Sequence, residues 1–354
     1  MIAVSVIMPV YNTKHDLLCR AIESVLQQSL REIELILVDD GSTNGSERIC
    51  DEYAMKDSRV HVLHEKNGGL CKARNTALRI VKGEYVTFID HDDEYGEGQL
   101  GENYRLAKEQ GNVDVVKFGY RYICLDQRPR FPFRTYNGTV NKALVGRELL
   151  EAYPKLKDSG ILTFVWDALF RTDFLREHSL LFNEKFKIGQ EDIEFCNRVY
   201  SNLQSFVYHS KQYYRHYRYP ASTSRGMDLQ KTKRLLRDEA YVFQGEIELW
   251  RKMYPPEAED VRQSIAYRNM MVMISSAMRS DAEISFFDRI GLVRWIRGKF
   301  EGKGAIDCHY PHEWKNRLCT FLFQYNAIFL LVIASVFYVK YLTWCVKGQG
   351  KMND

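Results

Sequence analysis

The sequence predicts an α/β protein in which helices cover both faces of a mostly parallel β-sheet. Three observations support this fold class. Apolar runs of strand length occur at 3–10, 33–38 and 85–90. Between them, at 14–29 and 70–82, apolar or small residues recur at the spacing of one helix face. Each strand run ends in turn-forming or acidic residues, and strands that alternate with helices form parallel sheets.

The elements of the first half follow in chain order. The run AVSVIMPV has the apolar, β-branched composition of a strand, IELILV is typical of a buried strand, and Asn67-Gly68-Gly69 is a turn before a helix. We predict strands at 3–10, 33–38, 60–64, 85–90 and 113–118, and helices at 14–29, about 45–56, and 70–82.

The second half is less regular and richer in helices. We predict helices at about 143–153, 166–178 and 190–202, a strand at 205–209, and two long helices at 228–253 and 257–280, separated by Pro255-Pro256. The chain is accordingly expected to comprise an α/β domain at 1–225, a helical extension at 226–312 and an apolar C-terminal segment at 313–354.

The C-terminal segment has no charged residue from Leu318 to Val339. That length nearly suffices to cross a bilayer, but Gln324, Tyr325 and Asn326 interrupt its first half. We expect residues 318–346 to associate with a membrane, either in the interface or across it. The alternative is a buried helix that packs on the preceding helical region.

Composition narrows the function classes. The net charge is only +4 with no basic tract, which argues against nucleic-acid binding and fits an anionic ligand or membrane surface. The eight cysteines form no Cys-x-x-Cys pair, so we expect no zinc site and free thiols in a reducing cytosol. The start MIAVSVIMPVYN lacks a basic region and a cleavage site, and therefore reads as a strand rather than a signal peptide.

Polar clusters follow three of the predicted strands: Tyr11-Asn12, Asp39-Asp40 and Asp90–Asp93. Open parallel sheets bind ligands at the carboxyl ends of their strands. The sequence therefore predicts one site along this edge.

The cluster Asp90-His91-Asp92-Asp93 is a candidate metal site. Like charges this close cost free energy unless a cation or strong donors compensate them. Mg²⁺ and Mn²⁺ take oxygen ligands, and Mg²⁺ usually binds through one or two carboxylates together with substrate phosphates. The alternative is a solvated acidic turn.

Two further segments fit a nucleotide. A carboxylate of Asp39-Asp40 could accept the N–H of a pyrimidine ring, with Tyr11 as a stacking face, although an Asx-type turn explains the same residues. Lys72-Ala73-Arg74-Asn75 opens a helix after a glycine turn, which favours phosphate, or is only an exposed helix face.

Two segments of the second half could complete the site. Glu191-Asp192 could supply a general base, or could simply be an acidic pair at a helix N-terminus. His216 could add a metal ligand, and the neighbouring Arg215 or Arg218 could hold a diphosphate. The alternative is an aromatic strand with surface cations.

Together these segments resemble family 2 glycosyltransferases of the GT-A fold. The order and spacing match over about 1–225. The matching stretches are VSVIMPVYN at 4–12, ELILVDDGSTNGS at 34–46, NGGLCKARNTAL at 67–78, GEYVTFIDHDD at 83–93, VWDALFRTDFL at 165–175 and GQEDIEFCNRV at 189–199.

The resemblance implies roles for individual residues. Contacts to the donor nucleotide are implied for Pro9, Tyr11, Asn12, Asp40, Arg74 and Asp90. Asp92 would be the chief metal ligand, beside Asp90 and with His216 as a further candidate. Asp192 would be the general base with Glu191 beside it, and Trp166 would form part of the acceptor wall. The implied reaction is transfer with inversion from a nucleoside-diphosphate sugar, most often a UDP-sugar, with Mn²⁺ or Mg²⁺.

The sequence departs from the family pattern at three places. His91 stands where a small residue is common, Glu94–Gly98 lacks a frequent proline, and Asp167-Ala168 replaces a frequent Asn-Lys. Bacterial members of this layout resemble enzymes that build capsule, exopolysaccharide or lipopolysaccharide, usually on a lipid-linked acceptor. We therefore expect a cytoplasmic enzyme at the inner face of the membrane.

Two alternative functions fit the sequence less well. A nucleotidyltransferase would need a basic, glycine-rich loop after the first strand, where the sequence has Pro9-Val10-Tyr11-Asn12. A non-catalytic sugar- or nucleotide-binding protein of the same fold would be marked by loss of the carboxylates, and all of them are present.

Overall fold

The computed structural model describes residues 1–125, 138, 140–187, 189–219, 227–253, 259–279, 282–300, 328–330 and 332–333. The chain divides into two compact units. The first comprises the described residues of 1–127, 132–187 and 191–220, and the second those of 188–190 and 221–354. The division after residue 220 lies near the predicted boundary at 225; the boundary at 312 falls outside the described residues.

The first half of the chain forms the parallel part of the sheet. Strands β1 (Val4–Val10), β2 (Ile33–Asp39), β3 (Val60–His64) and β4 (Tyr85–Phe88) lie in the order β3-β2-β1-β4, and every pairing among them is parallel. Helices α1 (His15–Leu26), α2 (Ser46–Lys56) and α3 (Leu70–Leu78) connect them. Strands β1, β2 and β4 are buried along their whole length, which explains their continuous apolar runs.

The second half extends this sheet with mixed pairing. The full order is β3-β2-β1-β4-β8-β6-β9-β5, with β7 beside β9; β8 runs antiparallel to β4 and β6, whereas β6 and β9 are parallel. The elements are β5 (Glu94–Tyr95), α4 (Gln99–Glu109), β6 (Val115–Cys124), β7 (Leu144–Val145), α5 (Gly146–Asp158), β8 (Ala168–Arg171), α6 (Thr172–Glu177), α7 (Glu191–Ser201) and β9 (Ser205–Arg218).

The helix predicted at 166–178 is wrong in its first half. Residues 168–171 form strand β8, and only 172–177 are helical. The side chains of Ala168, Leu169 and Phe170 are completely buried because β8 is inserted between β4 and β6. Pairing with two neighbours provides backbone hydrogen bonds that the apolar spacing of the sequence does not reveal.

The second unit is helical. Helices α8 (Leu229–Met253), α9 (Glu259–Ala277) and α10 (Phe286–Phe300) correspond to the predicted long helices and one more. Polar pairs join α8 to α9: Ser276 donates to Glu239 over 2.7 Å, and Asn269 donates to Glu246 over 3.1 Å. None of the described helices is long and apolar enough to cross a membrane. Most of the segment at 318–346 lies outside the described residues.

Candidate active site

The carboxyl ends of β1, β2 and β4 meet at one edge of the sheet, as predicted. The parallel register pairs Val10 with Asp39 and Ile7 with Phe88. Each strand therefore ends beside its neighbour, and the polar residues that follow share this edge. A site at the ends of these strands is a direct result of the topology.

At the end of β2, the carboxylate of Asp40 is held by the turn before α3. It accepts the backbone N–H groups of Gly68 over 2.7 Å and of Gly69 over 2.8 Å. Asp39 instead accepts the N–H of Ser42 and pairs with His64 at 3.0 Å. Burial raises the pKa of Asp39, but the bonds from His64 and Ser42 outweigh it and bring the pKa below its usual value. Asp39 thus forms the predicted turn, and Asp40 faces the turn of α3.

At the end of β1, Asn12 links two loops. It adopts a left-handed backbone with φ of 47°, its N–H donates to the Ser42 hydroxyl over 3.0 Å, and its side-chain oxygen accepts the N–H of Thr43 over 2.8 Å. Tyr11 beside it is 48% exposed, whereas Pro9 is buried within β1. The exposed ring of Tyr11 is free to stack on a planar ligand.

Arg74 on α3 connects the two halves of the predicted site. Its buried guanidinium donates to Asp192 over 2.7 Å and to Asp90 over 3.2 Å. The rings of Phe88 and Phe182 lie 5.7 and 5.0 Å from it. Apolar walls keep water away and strengthen the attraction between these charges.

Asp192 and Glu191 occupy the first turn of α7. Burial raises the pKa of Asp192, and the charge of Asp90 adds to this effect, although Arg74 opposes it. Burial and the charge of Asp192 raise the pKa of Glu191 to about 7. Their position at the helix start is favourable for the helix dipole, as the structural interpretation expects, and the catalytic interpretation stays a prediction.

The carboxylate of Asp92 has no hydrogen-bond donor among the described residues. Its backbone oxygen, by contrast, is held by the Arg20 guanidinium over 2.6 Å. Burial, reinforced by the charges of Asp93 and Asp90, raises the pKa of Asp92 to about 6. A cation beside this carboxylate would relieve that burial cost.

Asp93 is fully satisfied, which the sequence does not reveal. Its completely buried carboxylate accepts the N–H of Tyr217 over 2.7 Å and the Tyr214 hydroxyl over 2.7 Å, and it pairs with Nδ1 of His216 at 2.9 Å. Tyr214 also accepts the N–H of Asp90 over 3.2 Å. Asp93 therefore fastens the acidic loop to β9. The alternation along β9 that places residues 214 and 216 on one face was the available signal.

His216 is oriented by aromatic contacts as well as by Asp93. Its ring stacks on Trp166 at 5.3 Å with a 2° interplanar angle, and Trp166 stacks on Tyr214 at 4.4 Å. With Nδ1 at Asp93, Nε2 is the nitrogen left for another partner. A metal-binding histidine is commonly oriented by a carboxylate in this way.

The described residues contain no group of three or more His, Cys, Asp or Glu side chains arranged to hold a metal ion. The donor-free carboxylate of Asp92, with Asp90 beside it, fits a hard cation that takes its remaining ligands from phosphate and water.

The acidic cluster after β4 and the residues of the second half, Asp192 and His216, are far apart in sequence but lie close together in the fold. Arg74 joins Asp90 to Asp192, and the charges of His216 and Asp92 act on each other. Arg20 and Tyr219 are contributors that sequence reasoning missed, because they act through a backbone oxygen: both donate to the carbonyl of Asp92, over 2.6 and 3.4 Å. The five cysteines that the structure describes are free thiols, as predicted.

Comparison with known proteins agrees with these features. Residues 5–160 match the model of the family described as Glycosyl transferase family 2. The uncharacterized glycosyltransferase EpsJ of Bacillus subtilis is 33% identical over 203 residues, which cover 57% of this chain and 56% of EpsJ. The minor teichoic acid biosynthesis protein GgaB of the same organism is 32% identical over 217 residues, or 60% of this chain and 23% of GgaB. The chain thus spans about half or less of these relatives.

A solved structure shows the same fold. The Staphylococcus aureus TarS fragment 1–349, in complex with UDP-GlcNAc, superposes with a TM-score of 0.72 at 19% identity, covering 96% of this chain and 92% of the fragment. The predicted α/β fold of the GT-A type is confirmed by this likeness. The family model, the relatives and the fold agree, and residues 5–160 belong to glycosyltransferase family 2.

Proposed function

We propose that this protein is an inverting, metal-dependent glycosyltransferase. It would move a sugar from a nucleoside-diphosphate sugar, a UDP-sugar in the first instance, to a hydroxyl of a glycan or lipid-linked glycan in bacterial surface polysaccharide synthesis. The observation that carries the proposal is the bridge from Asp90 through Arg74 to Asp192, since it brings a donor-side carboxylate and a candidate base to one cation.

The nucleotide would bind along the ends of β1 and β2. Tyr11, directly after β1, offers an exposed ring for the base, and Pro9 lies near the end of β1. Asp40, which faces the turn before α3, would accept the N–H of a pyrimidine, and Asn12 shapes the loop beside it. The TarS fragment of the same fold was solved with UDP-GlcNAc, which supports a UDP-sugar as the first donor to test.

The metal ion would be held by Asp92 with Asp90, and His216 is a further candidate through Nε2. Mn²⁺ or Mg²⁺ at this position would stabilise the negative charge of the departing diphosphate. Arg74, which is always protonated, would add a fixed positive charge close to the phosphates.

Asp192 would act as the general base. Inversion requires a base on the acceptor side that takes the proton of the attacking hydroxyl while its oxygen bonds to the anomeric carbon and the bond to the diphosphate breaks. The raised pKa of Asp192 makes it a stronger base than an exposed aspartate. Glu191, with its pKa of about 7, lies beside it and would hold the acceptor.

A membrane-proximal location is supported by helix α10. Its exposed side carries Phe287, which is 79% exposed, and Trp295, which is 36% exposed, together with the cations Arg294 and Lys299. Aromatic and basic residues on one helix face suit the surface of an anionic bilayer. This face would act together with the segment at 318–346 to bring the enzyme to a lipid-linked acceptor.

The direct test is nucleotide release from a panel of nucleoside-diphosphate sugars. We expect the wild-type protein with Mn²⁺ to release UDP from at least one UDP-sugar, and EDTA to abolish the release. Release that is unaffected by EDTA would remove the metal from the proposal. Thermal stabilisation by a donor without release would favour the alternative of a non-catalytic sugar- or nucleotide-binding protein of the same fold. Absence of both release and stabilisation with every donor, with and without Mn²⁺, would contradict the proposal.

A further inference from the structure

We infer that Lys117, on strand β6, is a positioning residue for both halves of the reaction. This rests on the proposed function. Its ammonium would fix the loop Phe164–Asp167, and that loop in turn holds Asp192 and the ring of His216. Lys117 and Asp167 are remote in sequence from the residues that follow β1, β2 and β4. The family motifs imply no role for Lys117.

The ammonium of Lys117 lies in the core and makes two contacts with the loop. The side chain is completely buried, pairs with the carboxylate of Asp167, and donates to the backbone oxygen of Phe164 over 2.7 Å. Burial raises the pKa of Asp167 to about 6 although Lys117 opposes the shift. A buried ion pair of this kind rarely stabilises a fold more than apolar residues of equal size would, so packing alone does not account for it.

The two middle residues of the same loop reach the site. The backbone N–H of Val165 lies close enough to the carboxylate of Asp192 to lower its pKa. The ring of Trp166 stacks on His216 at 5.3 Å. The four consecutive residues of the loop thus have two different roles. The outer two are held by Lys117, whereas the inner two hold the predicted base and a predicted metal ligand.

Helix α7 is tied to the same point. The thiol of Cys196, one helical turn after Asp192, donates to the Phe164 oxygen over 3.5 Å. That carbonyl therefore receives both Lys117 and the helix that carries the base. If the ammonium is removed, nothing fixes the carbonyl of Phe164 relative to the Val165 N–H and α7. Asp192 can then shift by the fraction of an ångström that matters in catalysis.

The register of the sheet suggests a second position from which a lysine could restore the lost contacts. Lys117 is directly opposite Ala168 in the antiparallel pair of β6 and β8. Opposite residues project from the same face with Cβ atoms about 5 Å apart. A lysine at 168 can therefore bring its ammonium to nearly the same place from the neighbouring strand, while an alanine at 117 makes room for it.

The experiment compares three variants in the UDP-release and transfer assay. We expect Lys117→Met to lower kcat about 30- to 100-fold while the donor KM changes less than about threefold, since the alignment of Asp192 and His216 is lost but the nucleotide contacts at the ends of β1 and β2 remain. The transplant Lys117→Ala/Ala168→Lys should recover kcat to within about fivefold of wild type. The double variant Lys117→Met/Asp167→Leu should fold with a Tm at or above that of the wild type and still show the low kcat.

Two controls separate positioning from stability and from the proposed function. Lys157→Met removes another buried lysine, bonded to Asn197 over 2.6 Å, and should retain kcat within about threefold. Hydrogen exchange at the Val165 amide, which needs no activity, should accelerate in Lys117→Met/Asp167→Leu and be restored in the transplant. Full kcat and unchanged exchange in the double variant would overturn the inference. If the wild-type protein shows no turnover, but exchange at Val165 still accelerates in the double variant, the result would contradict the proposed function and leave the positioning role of Lys117 intact.

Discussion

Asp92 and Asp93 are adjacent in the chain, yet their carboxylates have opposite environments. Asp93 is completely buried and has three partners on β9. The carboxylate of Asp92 has no donor in the described part of the chain. Burial raises the pKa of both groups, to about 6 for Asp92, so the difference between them lies in their hydrogen-bond partners. A satisfied carboxylate stabilises structure, whereas an unsatisfied one costs stability and is kept for a ligand. Both residues are aspartates, so the difference comes from the donors that strand β9 provides to Asp93.

The same contrast extends across the site. The guanidinium of Arg74 faces three carboxylates, those of Asp90, Glu191 and Asp192, and contacts only Asp90 and Asp192. One cation cannot balance three anions, and Asp92 adds a fourth. The donor edge thus carries more carboxylates than Arg74 alone can balance, and the proposed metal ion would supply further positive charge. This excess of negative charge distinguishes the candidate catalytic carboxylates from Asp93, which has a structural role.

The largest effect is expected at the base. Asp192→Asn keeps the size of the side chain and removes its ability to take a proton, so we expect kcat for transfer to fall about 10³-fold. The Tm should stay close to that of the wild type, because the removal of a buried charge offsets the lost attraction to the buried Arg74. Transfer rates measured beside thermal unfolding curves check both statements. Full turnover in this variant would remove the assignment of Asp192.

The next effect contrasts the two adjacent aspartates directly. Asp93→Asn replaces an anion that accepts three hydrogen bonds, and we expect the free energy of unfolding to drop by about 2–3 kcal/mol. Asp92→Asn should instead raise the Tm by roughly 2–4 °C, because the neutral amide removes a half-buried charge that no donor among the described residues compensates. Denaturation of the two variants side by side gives the comparison. Equal losses of stability would show that the two carboxylates do not differ.

The pH dependence follows from the raised pKa of Asp192. A base works only when deprotonated, so activity is present above the folded-state pKa and is lost as the pH falls through it. Because burial and Asp90 raise this pKa, the acid limb of the kcat profile should lie above the ordinary aspartate value near pH 4, with about a tenfold loss per pH unit below it. An acid limb at or below pH 4 would contradict the assignment.

The smallest effect is expected at His216. His216→Gln keeps a polar side chain but loses the ring that Trp166 and Asp93 orient, so we expect the Mn²⁺ concentration for half-maximal activity to rise about tenfold. His64→Gln is a matched control, because His64 pairs with Asp39 and Asp51 at the base of the turn. An unchanged Mn²⁺ requirement in His216→Gln would limit this residue to a structural role.

The sequence predicted the parallel half of the sheet well because β1, β2 and β4 are buried strands, short helices connect the strands, and each of these signals is local. It also predicted that the polar residues after β1, β2 and β4 meet at one edge of the sheet. Strand β8 was missed since its identity depends on insertion between β4 and β6, which the spacing of Leu169, Phe170 and Phe174 does not encode. Asp93 could not be told from Asp92 for a related reason: the donors on β9 lie more than 120 residues away.

The central claim is that the carboxylate of Asp92 is left without donors in order to bind a cation shared with the donor diphosphate. Free Mn²⁺ can be measured by electron paramagnetic resonance while the protein is titrated in the presence of UDP. The wild type and Asp192→Asn should both remove Mn²⁺ from solution, and Asp92→Asn should bind it at least about tenfold more weakly. Equal Mn²⁺ binding by the wild type and Asp92→Asn would contradict the central claim.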